Sequence, residues 1–339
     1  MNLKELADSL GLSPTTVSRA LNGYPEVGQT TRARVMAAAE AADYTPSARA
    51  RHLATGQSMA IGHVIPLIGR SEIVNPIFAD FLAGAGEAYA AQGYEILLSV
   101  VGDGQSAAAY RQMVRRGSVD GVMVQGPETE DPRIDVLKSL GMPFVVHGRT
   151  RTPEGYSWLD IENTRAFRKA TEFLLDLGHR RIALINGQDR FDFARRRRDG
   201  YEAALTNRGV PVEGRLIFSD VMTEGYGFDT AARLLDGPRP PTAMLVSSMI
   251  SAVGVRRAAE ARGLTLGRDL SVICHDDELS YLSNHGPGLT FTATRSSIRD
   301  AGRRAAEMLI TLIRDPGAAP LTELWEVDLV LGDTTAPPP

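Results

Sequence analysis

The stretch Ser13-Pro-Thr-Thr-Val-Ser-Arg-Ala-Leu-Asn22 decides how the whole chain reads. Upstream, Leu3, Leu6, Ala7 and Leu10 fall at i, i+3, i+4 and i+7, which predicts a short helix with one apolar stripe. Gly11 stops it, because a helix end favours a residue that tolerates positive φ. Ser13 is a good N-cap, and Pro14 takes the first helical position, where its missing N–H costs nothing. The second helix buries Val17, Ala20 and Leu21 and presents Thr15, Thr16, Ser18, Arg19 and Asn22 on its other face. Such hydroxyls, a guanidinium and an amide can bond phosphate oxygens and base edges. Asn22-Gly23 breaks the helix, and a third one after Thr30 turns Val35, Ala38, Ala39 and Ala42 inward. Two short helices joined by a glycine turn, with a third as support, make a helix-turn-helix.

On spacing alone, a three-helix cap with a polar outer face fits these residues as well as a DNA reader does. Charge does not separate the two. Residues 1–57 hold six cations (Lys4, Arg19, Arg32, Arg34, Arg49, Arg51) against five carboxylates (Glu5, Asp8, Glu26, Glu40, Asp43). DNA-binding domains often carry a strong basic excess.

The wording of the segment separates them. Leu12-Ser-Pro-Thr-Thr-Val-Ser-Arg-Ala-Leu-Asn-Gly23, then Val27, then Tyr44-Thr-Pro-Ser-Ala-Arg-Ala-Arg-His-Leu53, closely resembles the headpiece of the LacI/GalR family of bacterial transcription regulators. The resemblance implies that Pro14, Thr15 and Arg19 face base edges in the major groove. It implies that Ser13, Thr16, Ser18, Asn22 and Tyr44 hold the DNA backbone. It also implies a hinge helix over about residues 47–54, whose Leu53 wedges into the minor groove and kinks the DNA. Proline at 14 stands where relatives often place a larger polar or aromatic reader, which leaves direct readout mostly to Thr15 and Arg19.

With 339 residues, of which 43% are apolar, the chain is too long for one compact unit. A net charge of −4 excludes a generally polycationic protein. Cys274 is the single cysteine, so no internal disulfide forms and a reducing compartment is expected. No signal peptide and no apolar run near the ~20 residues of a membrane helix are visible, so a cytoplasmic protein without membrane contact is expected.

Beyond a polar joint at 55–59 the pattern alternates strands and helices. Strands are predicted over 60–66, 94–101, 119–125 and 143–147, with helices over 76–92, 105–116 and 131–140 between them. A second series places helices over 164–177, 195–207, 224–235 and 250–262, and strands over 181–186, 215–219, 243–247 and 270–274. Late segments at 289–293, 296–314 and 325–330 cross back between the two series, and the terminal Ala336-Pro-Pro-Pro339 reads as disordered. Repeated βα units predict parallel sheets covered by helices on both faces. The expected fold is therefore α/β: a three-helix headpiece with a hinge helix over residues 1–57, then two doubly wound lobes over 58–339. The first lobe is expected at about 59–161 and 291–320, the second at about 162–290 and 321–334.

This layout matches the family's effector domain, which is similar to periplasmic sugar-binding proteins. Asn75-Pro-Ile-Phe78, Leu177-Gly-His-Arg-Arg-Ile182, Arg197-Arg-Asp-Gly-Tyr201 and Ser271-Val-Ile-Cys-His-Asp-Asp277 carry that match. Ligands of open parallel sheets bind beyond the carboxyl ends of the strands. Asp276 ends a strand and is the carboxylate that the motif places on the ligand, with Arg197 approaching from a helix. A carboxylate and a guanidinium suit a mono- or disaccharide, one accepting and the other donating directed bonds. Gln125, His147, Asp160, Ser248 and Ser296 sit at strand or helix ends on the same side, and Phe78, Trp158 and Met222 offer apolar faces to a sugar ring.

Cys274-His-Asp-Asp277 crowds metal-ligand types together, but neighbours on a strand point alternately, so no metal is expected. Gly84-Ala-Gly86 lies within a helix and is no dinucleotide fingerprint, and no nucleophile elbow, Walker loop or zinc-protease motif occurs, so neither catalytic residues nor a cofactor are expected. Ser247-Ser-Met-Ile250 replaces an Asn-Asp phrase common in the family, and His147-Gly-Arg149 stands where an acidic residue is usual. Met1-Asn-Leu-Lys4, Ala20-Leu-Asn-Gly-Tyr-Pro-Glu-Val27, His147-Gly-Arg149 and Thr294-Arg-Ser-Ser297 look most like regulators of α-glucoside utilisation. The expected protein is a homodimeric repressor on a palindromic operator, switched by a small sugar. A transport-type sugar-binding protein would lack the helix-turn-helix, a two-domain enzyme would show a catalytic motif, and a regulator with a non-sugar effector remains the other reading.

Overall fold

A computed structural model describes residues 1–44, 56–67, 75–102, 104–286, 288 and 290–339. The hinge helix over 47–54 and Leu53 lie outside the described residues.

Three helices, Leu3–Leu10, Pro14–Leu21 and Gln29–Ala41, form the headpiece. Asn2 and Glu5 close a capping box on the first, Gly11 ends it at φ 64°, and the Ser13 side chain accepts the Thr16 N–H at 3.1 Å to start the second. Leu6, Ala7, Val17, Ala20, Val27, Val35 and Ala39 are buried together as its core.

The rest of the chain builds two six-stranded sheets. The first has the order β11-β5-β4-β3-β1-β2, from strands Ala60–Leu67 (β1), Glu95–Gly102 (β2), Gly121–Gln125 (β3), Phe144–His147 (β4), Ser157–Ile161 (β5) and Thr322–Trp325 (β11). The second has the order β12-β10-β9-β8-β6-β7, from Ile182–Asn186 (β6), Ile217–Ser219 (β7), Ala243–Val246 (β8), Ser271–Asp276 (β9), Thr292–Arg295 (β10) and Asp328–Val330 (β12). All pairings are parallel except β10 with β12. The central strands are apolar on both faces, as helix-covered parallel strands must be. Helix Pro76–Ala91 and helix Ile298–Arg314 pack so closely that a Cβ on Gly84 would lie 1.9 Å from the Arg299 carbonyl oxygen. That close approach is what Gly84 serves, with Gly302 on the opposite helix, where a Cβ would lie 2.1 Å from the Phe81 carbonyl oxygen.

The lobe boundaries differ from expectation at both late crossings. β10 pairs with β9 in the second sheet, so the chain crosses at Ser296–Ser297 and not near 291. β11 pairs with β5 in the first sheet, so the last crossing falls at Glu326–Val327 and not near 321. A four-residue strand of mixed polarity, Thr292-Ala-Thr-Arg295 in β10 or Thr322-Glu-Leu-Trp325 in β11, carries no sign of which sheet will accept it. β5 itself was absent from the expected strands. The terminal segment is docked and not disordered: Thr334 is fully buried and donates to the Val272 carbonyl at 2.6 Å, while Ser271 Oγ and His179 Nε2 each lie 2.9 Å from the Ala336 carbonyl oxygen.

Candidate effector cleft and DNA-reading face

The exposed side of helix Pro14–Leu21 carries Ser13, Pro14, Thr15 and Arg19 in full view and Thr16 and Ser18 partly so. Ser13 and Thr16 hydroxyls share a 2.8 Å hydrogen bond, and Asn22 Nδ2 donates to the Ser18 carbonyl at 2.8 Å. Tyr44 packs half-buried against the headpiece core. Arg32 donates to the Tyr24 carbonyl at 2.7 Å and Arg34 to that of Leu10, so both brace the headpiece. Among the described residues Arg19 has no such tie, and it is the only cation on the reading helix.

In the larger domain the lobes touch on two flanks. On one, the Thr129 N–H meets the Arg190 carbonyl at 3.3 Å, the Asp192 N–H meets that of Pro127 at 3.1 Å, and Arg196 donates to the Thr150 carbonyl at 3.1 Å. On the other, buried Asp80 accepts from the Ser280 N–H at 2.7 Å and its hydroxyl at 2.6 Å, while Leu279 plugs the core of the first lobe.

Arg197 follows Arg196 of the first flank, 5% exposed, near the start of helix Asp192–Asn207. Its guanidinium is flanked by the rings of Phe167 and Phe193, each centred 5.0 Å away. Nε donates to Asn163 Oδ1 at 2.7 Å and one Nη to the Ser247 carbonyl at 2.6 Å. Burial lowers its pKa to about 10, partly offset by the charges of Asp277 and Asp160. It is therefore a charged, oriented donor in a nearly dry site.

Asp160, in β5, accepts from Arg149 Nε at 3.0 Å and from Asn163 Nδ2 at 3.2 Å. Burial raises its pKa to about 6, against the pull of Arg149. Gln125 and His147 end β3 and β4 side by side in register. Gln125 Nε2 is buried and has no hydrogen-bond partner among the described residues. The His147 ring tilts against Phe81 at 4.6 Å, and burial lowers its pKa to about 4, so it is neutral. Asp276 is 1% exposed: Oδ1 accepts the Glu278 N–H at 2.9 Å, and Oδ2 has no hydrogen bond, its nearest cation being Arg295 Nε at 3.7 Å. The carboxylates whose charges act on Arg197 are those of the next residue, Asp277, and of Asp160.

Ser248 caps helix Met249–Glu260 by accepting the Ser251 N–H at 3.2 Å. Ser296 Oγ lies 3.2 Å from His275 Nε2, beside a cavity of about 630 Å³ at the crossings, walled also by Glu278, Arg295 and Trp325. Phe78 is half-buried on the first turn of helix Pro76–Ala91, and Met222 is half-buried with its sulfur near Gly187. Trp158 belongs to the first lobe's core, with Arg149 over its ring at 5.4 Å. Sequence reasoning missed Asn163, Phe167 and Phe193. Phe193 had a readable signal, since it lies one helical turn before Arg197.

A helix-turn-helix joined to a two-lobed domain, with an oriented guanidinium and buried polar atoms at the carboxyl ends of strands in both sheets, defines a ligand-gated transcription regulator. Residues 2–47 match the lacI family of bacterial regulatory proteins, and residues 171–335 match a periplasmic binding protein-like domain. The chain is 42% identical over 341 residues to the HTH-type transcriptional regulator AglR of Rhizobium meliloti, covering all of this chain and 95% of that one. It is 30% identical to the HTH-type transcriptional regulator RafR of Escherichia coli, covering 100% and 99% of the two chains. Among solved structures, the lac repressor dimer bound to operator and the anti-inducer ONPF overlays with a TM-score of 0.80 at 26% identity, covering 99% of each chain. A CelR–cellobiose complex overlays with a TM-score of 0.72 at 25% identity, covering 98% of this chain and 99% of that one. The chain belongs to the lacI family of bacterial transcription regulators. No described helix is long and apolar enough to cross a membrane.

Proposed function

We propose that the protein is a cytoplasmic, homodimeric repressor of carbohydrate-utilisation genes that binds a palindromic operator and is released by a small sugar held between its lobes. The observation that supports the sugar reading is an oriented donor, Arg197, together with two buried atoms at strand ends that make no hydrogen bond among the described residues: Asp276 Oδ2, which is 3.7 Å from Arg295 Nε, and Gln125 Nε2. A buried polar atom without a partner costs about 1–3 kcal/mol, which a ligand hydroxyl recovers. Phe193, Phe78 and Met222 supply apolar surface of the kind a pyranose ring needs. The balance of Arg197 and Arg149 against Asp160, Asp276 and Asp277 favours a neutral polyol over an anion. The phrases shared with α-glucoside regulators support an α-glucoside as the sugar. Dimerisation is supported by β2, an edge strand that exposes Ile96, Leu97, Leu98 and Val100.

A thermal-shift screen of mono- and disaccharides tests this reading. A ligand at 100 times its dissociation constant raises stability by about 2.7 kcal/mol. An α-glucoside is expected to shift the melting transition and to release operator DNA. A panel of sugars without effect, beside a phosphorylated or nucleoside ligand with one, favours the non-sugar effector instead.

A further inference from the structure

The described part of the headpiece is poor in free positive charge. Of Lys4, Arg19, Arg32 and Arg34, the last two are committed to backbone carbonyls. Most arginines of the larger domain are engaged in ion pairs, yet Arg111, Arg115 and Arg116 make none with a described residue and are all exposed. They stand together on helix Ser106–Arg116, which carries no carboxylate.

The place of that helix gives the cluster its meaning. It connects β2 to β3, so it runs against the parallel strands and its carboxyl end lies where they begin. That end also receives the chain from the headpiece. Asp120, four residues after Arg116, accepts the Ser58 N–H at 2.7 Å, the Ser58 hydroxyl at 2.9 Å and the Met59 N–H at 2.8 Å. The Asp120 N–H bonds to the Ala60 carbonyl at 2.9 Å. Four residues span at most about 14 Å, and an arginine side chain extends further. From Ser58 back to Leu53 is five residues, at most about 17 Å of chain. A protein seated on DNA through its headpiece and Leu53 thus brings this helix end toward the flanking phosphates. Glu95, Glu154 and Asp315 are exposed acids at the same end of the lobe, on other elements.

We propose that Arg111, Arg115 and Arg116 form an auxiliary phosphate-binding surface on the effector domain that takes the sugar-phosphate backbone of duplex DNA beside the operator. This rests on the reading of the chain as an operator-binding regulator. The surface adds affinity without sequence information, because phosphates are alike at every base pair. It also couples lobe position to DNA affinity, since helix Ser106–Arg116 moves with the first lobe.

The test compares full-length wild type with the Arg115→Ala/Arg116→Ala double variant, on a duplex selected by the wild type from a random library and on an unrelated duplex. Binding is followed from about 50 to 200 mM salt, where each phosphate contact contributes about −0.9 to the slope of log K against log salt. The double variant is expected to have a slope shallower by about 2 and to lose about tenfold in affinity for both duplexes, with its melting temperature unchanged. A control variant, Arg208→Ala/Arg239→Ala in the second lobe, is expected to leave the slope as it was. An unchanged slope in the double variant overturns the surface while the regulator reading stands. An equal loss in the control also overturns it, by reducing the effect to net charge. Wild-type protein that selects no duplex overturns the regulator reading and this surface with it.

Discussion

Arg197 Nε and Asn163 Oδ1 meet at 2.7 Å, and Asn163 is the first helical residue after the chain crosses from the first lobe to the second. The Asn163 amide nitrogen in turn reaches Asp160 Oδ1 at 3.2 Å in the first lobe. The guanidinium read as the ligand donor is thus oriented by the crossing itself, so a shift of one lobe against the other must be felt at Arg197. Asn163→Ala should weaken sugar binding about tenfold or more, because a buried donor left unpaired costs about 1–3 kcal/mol. Operator binding without sugar should persist. Calorimetry with the sugar from the thermal screen checks the first statement, and anisotropy with labelled operator the second.

On the reading helix, Arg19 and Thr16 should fail differently. Arg19→Ala is expected to abolish discrimination between operator and random DNA, because no other long donor stands on that face. Thr16→Ala is expected to weaken both kinds of binding together, as loss of a phosphate contact does. Competition binding separates them, and retained sequence preference in Arg19→Ala removes it from the base-reading set.

The headpiece was legible because its signals are local. Capping by Ser13, termination at Gly11 and the apolar spacing each act within one helical turn, and each appears in the structure as read. The alternation of strands and helices was legible for the same reason. Sheet membership of β10 and β11 was not, since pairing is decided by partners over a hundred residues away in the case of β11 with β5. Nor was Asn163 legible as the partner of Arg197, 34 positions on. Asp276 against Asp277 shows the finer limit. Adjacent residues at a strand end point to different sides, and the sequence does not say that Asp276 takes the Glu278 N–H and lies beside Arg295.

The flank opposite Arg196 supplies a test of lobe closure. Asp80 is 7% exposed and holds Ser280 by two hydrogen bonds, beside the Leu279 plug. Asp80→Ala should loosen this contact and shift the lobes toward an open arrangement. Sugar binding then weakens by the factor by which the closed population falls. Small-angle scattering should show a larger radius of gyration for the unliganded variant, with the difference removed at saturating sugar. Identical radii without sugar would leave Asp80 with no part in closure.

Acid should destabilise the effector domain through His63. This ring is 1% exposed, with Nε2 3.4 Å from the Tyr89 hydroxyl, and burial lowers its pKa from 6.5 to about 4. Below pH 6.5 the unfolded chain takes up a proton that the folded one refuses. The contribution is therefore intact above pH 6.5, falls as pH drops, and levels off below about 4, reaching about 3 kcal/mol as an upper figure. Denaturant unfolding between pH 7.5 and 4 should show this decline. His63→Gln should show a flatter profile whatever its absolute stability, and matching profiles would exclude His63 as the source.

The most direct test of the central claim is operator anisotropy measured with increasing sugar, for wild type and Asp276→Ala in parallel. Asp276 ends β9 in the second lobe with Oδ2 buried and without a hydrogen bond among the described residues, whereas the reading helix belongs to the headpiece. Both proteins should bind the operator equally without sugar, sugar should release the wild type, and Asp276→Ala should need 10 to 100 times more of it, about 1.4 kcal/mol for each tenfold. Release of both proteins at the same sugar concentration would contradict the placement of the effector between these strand ends.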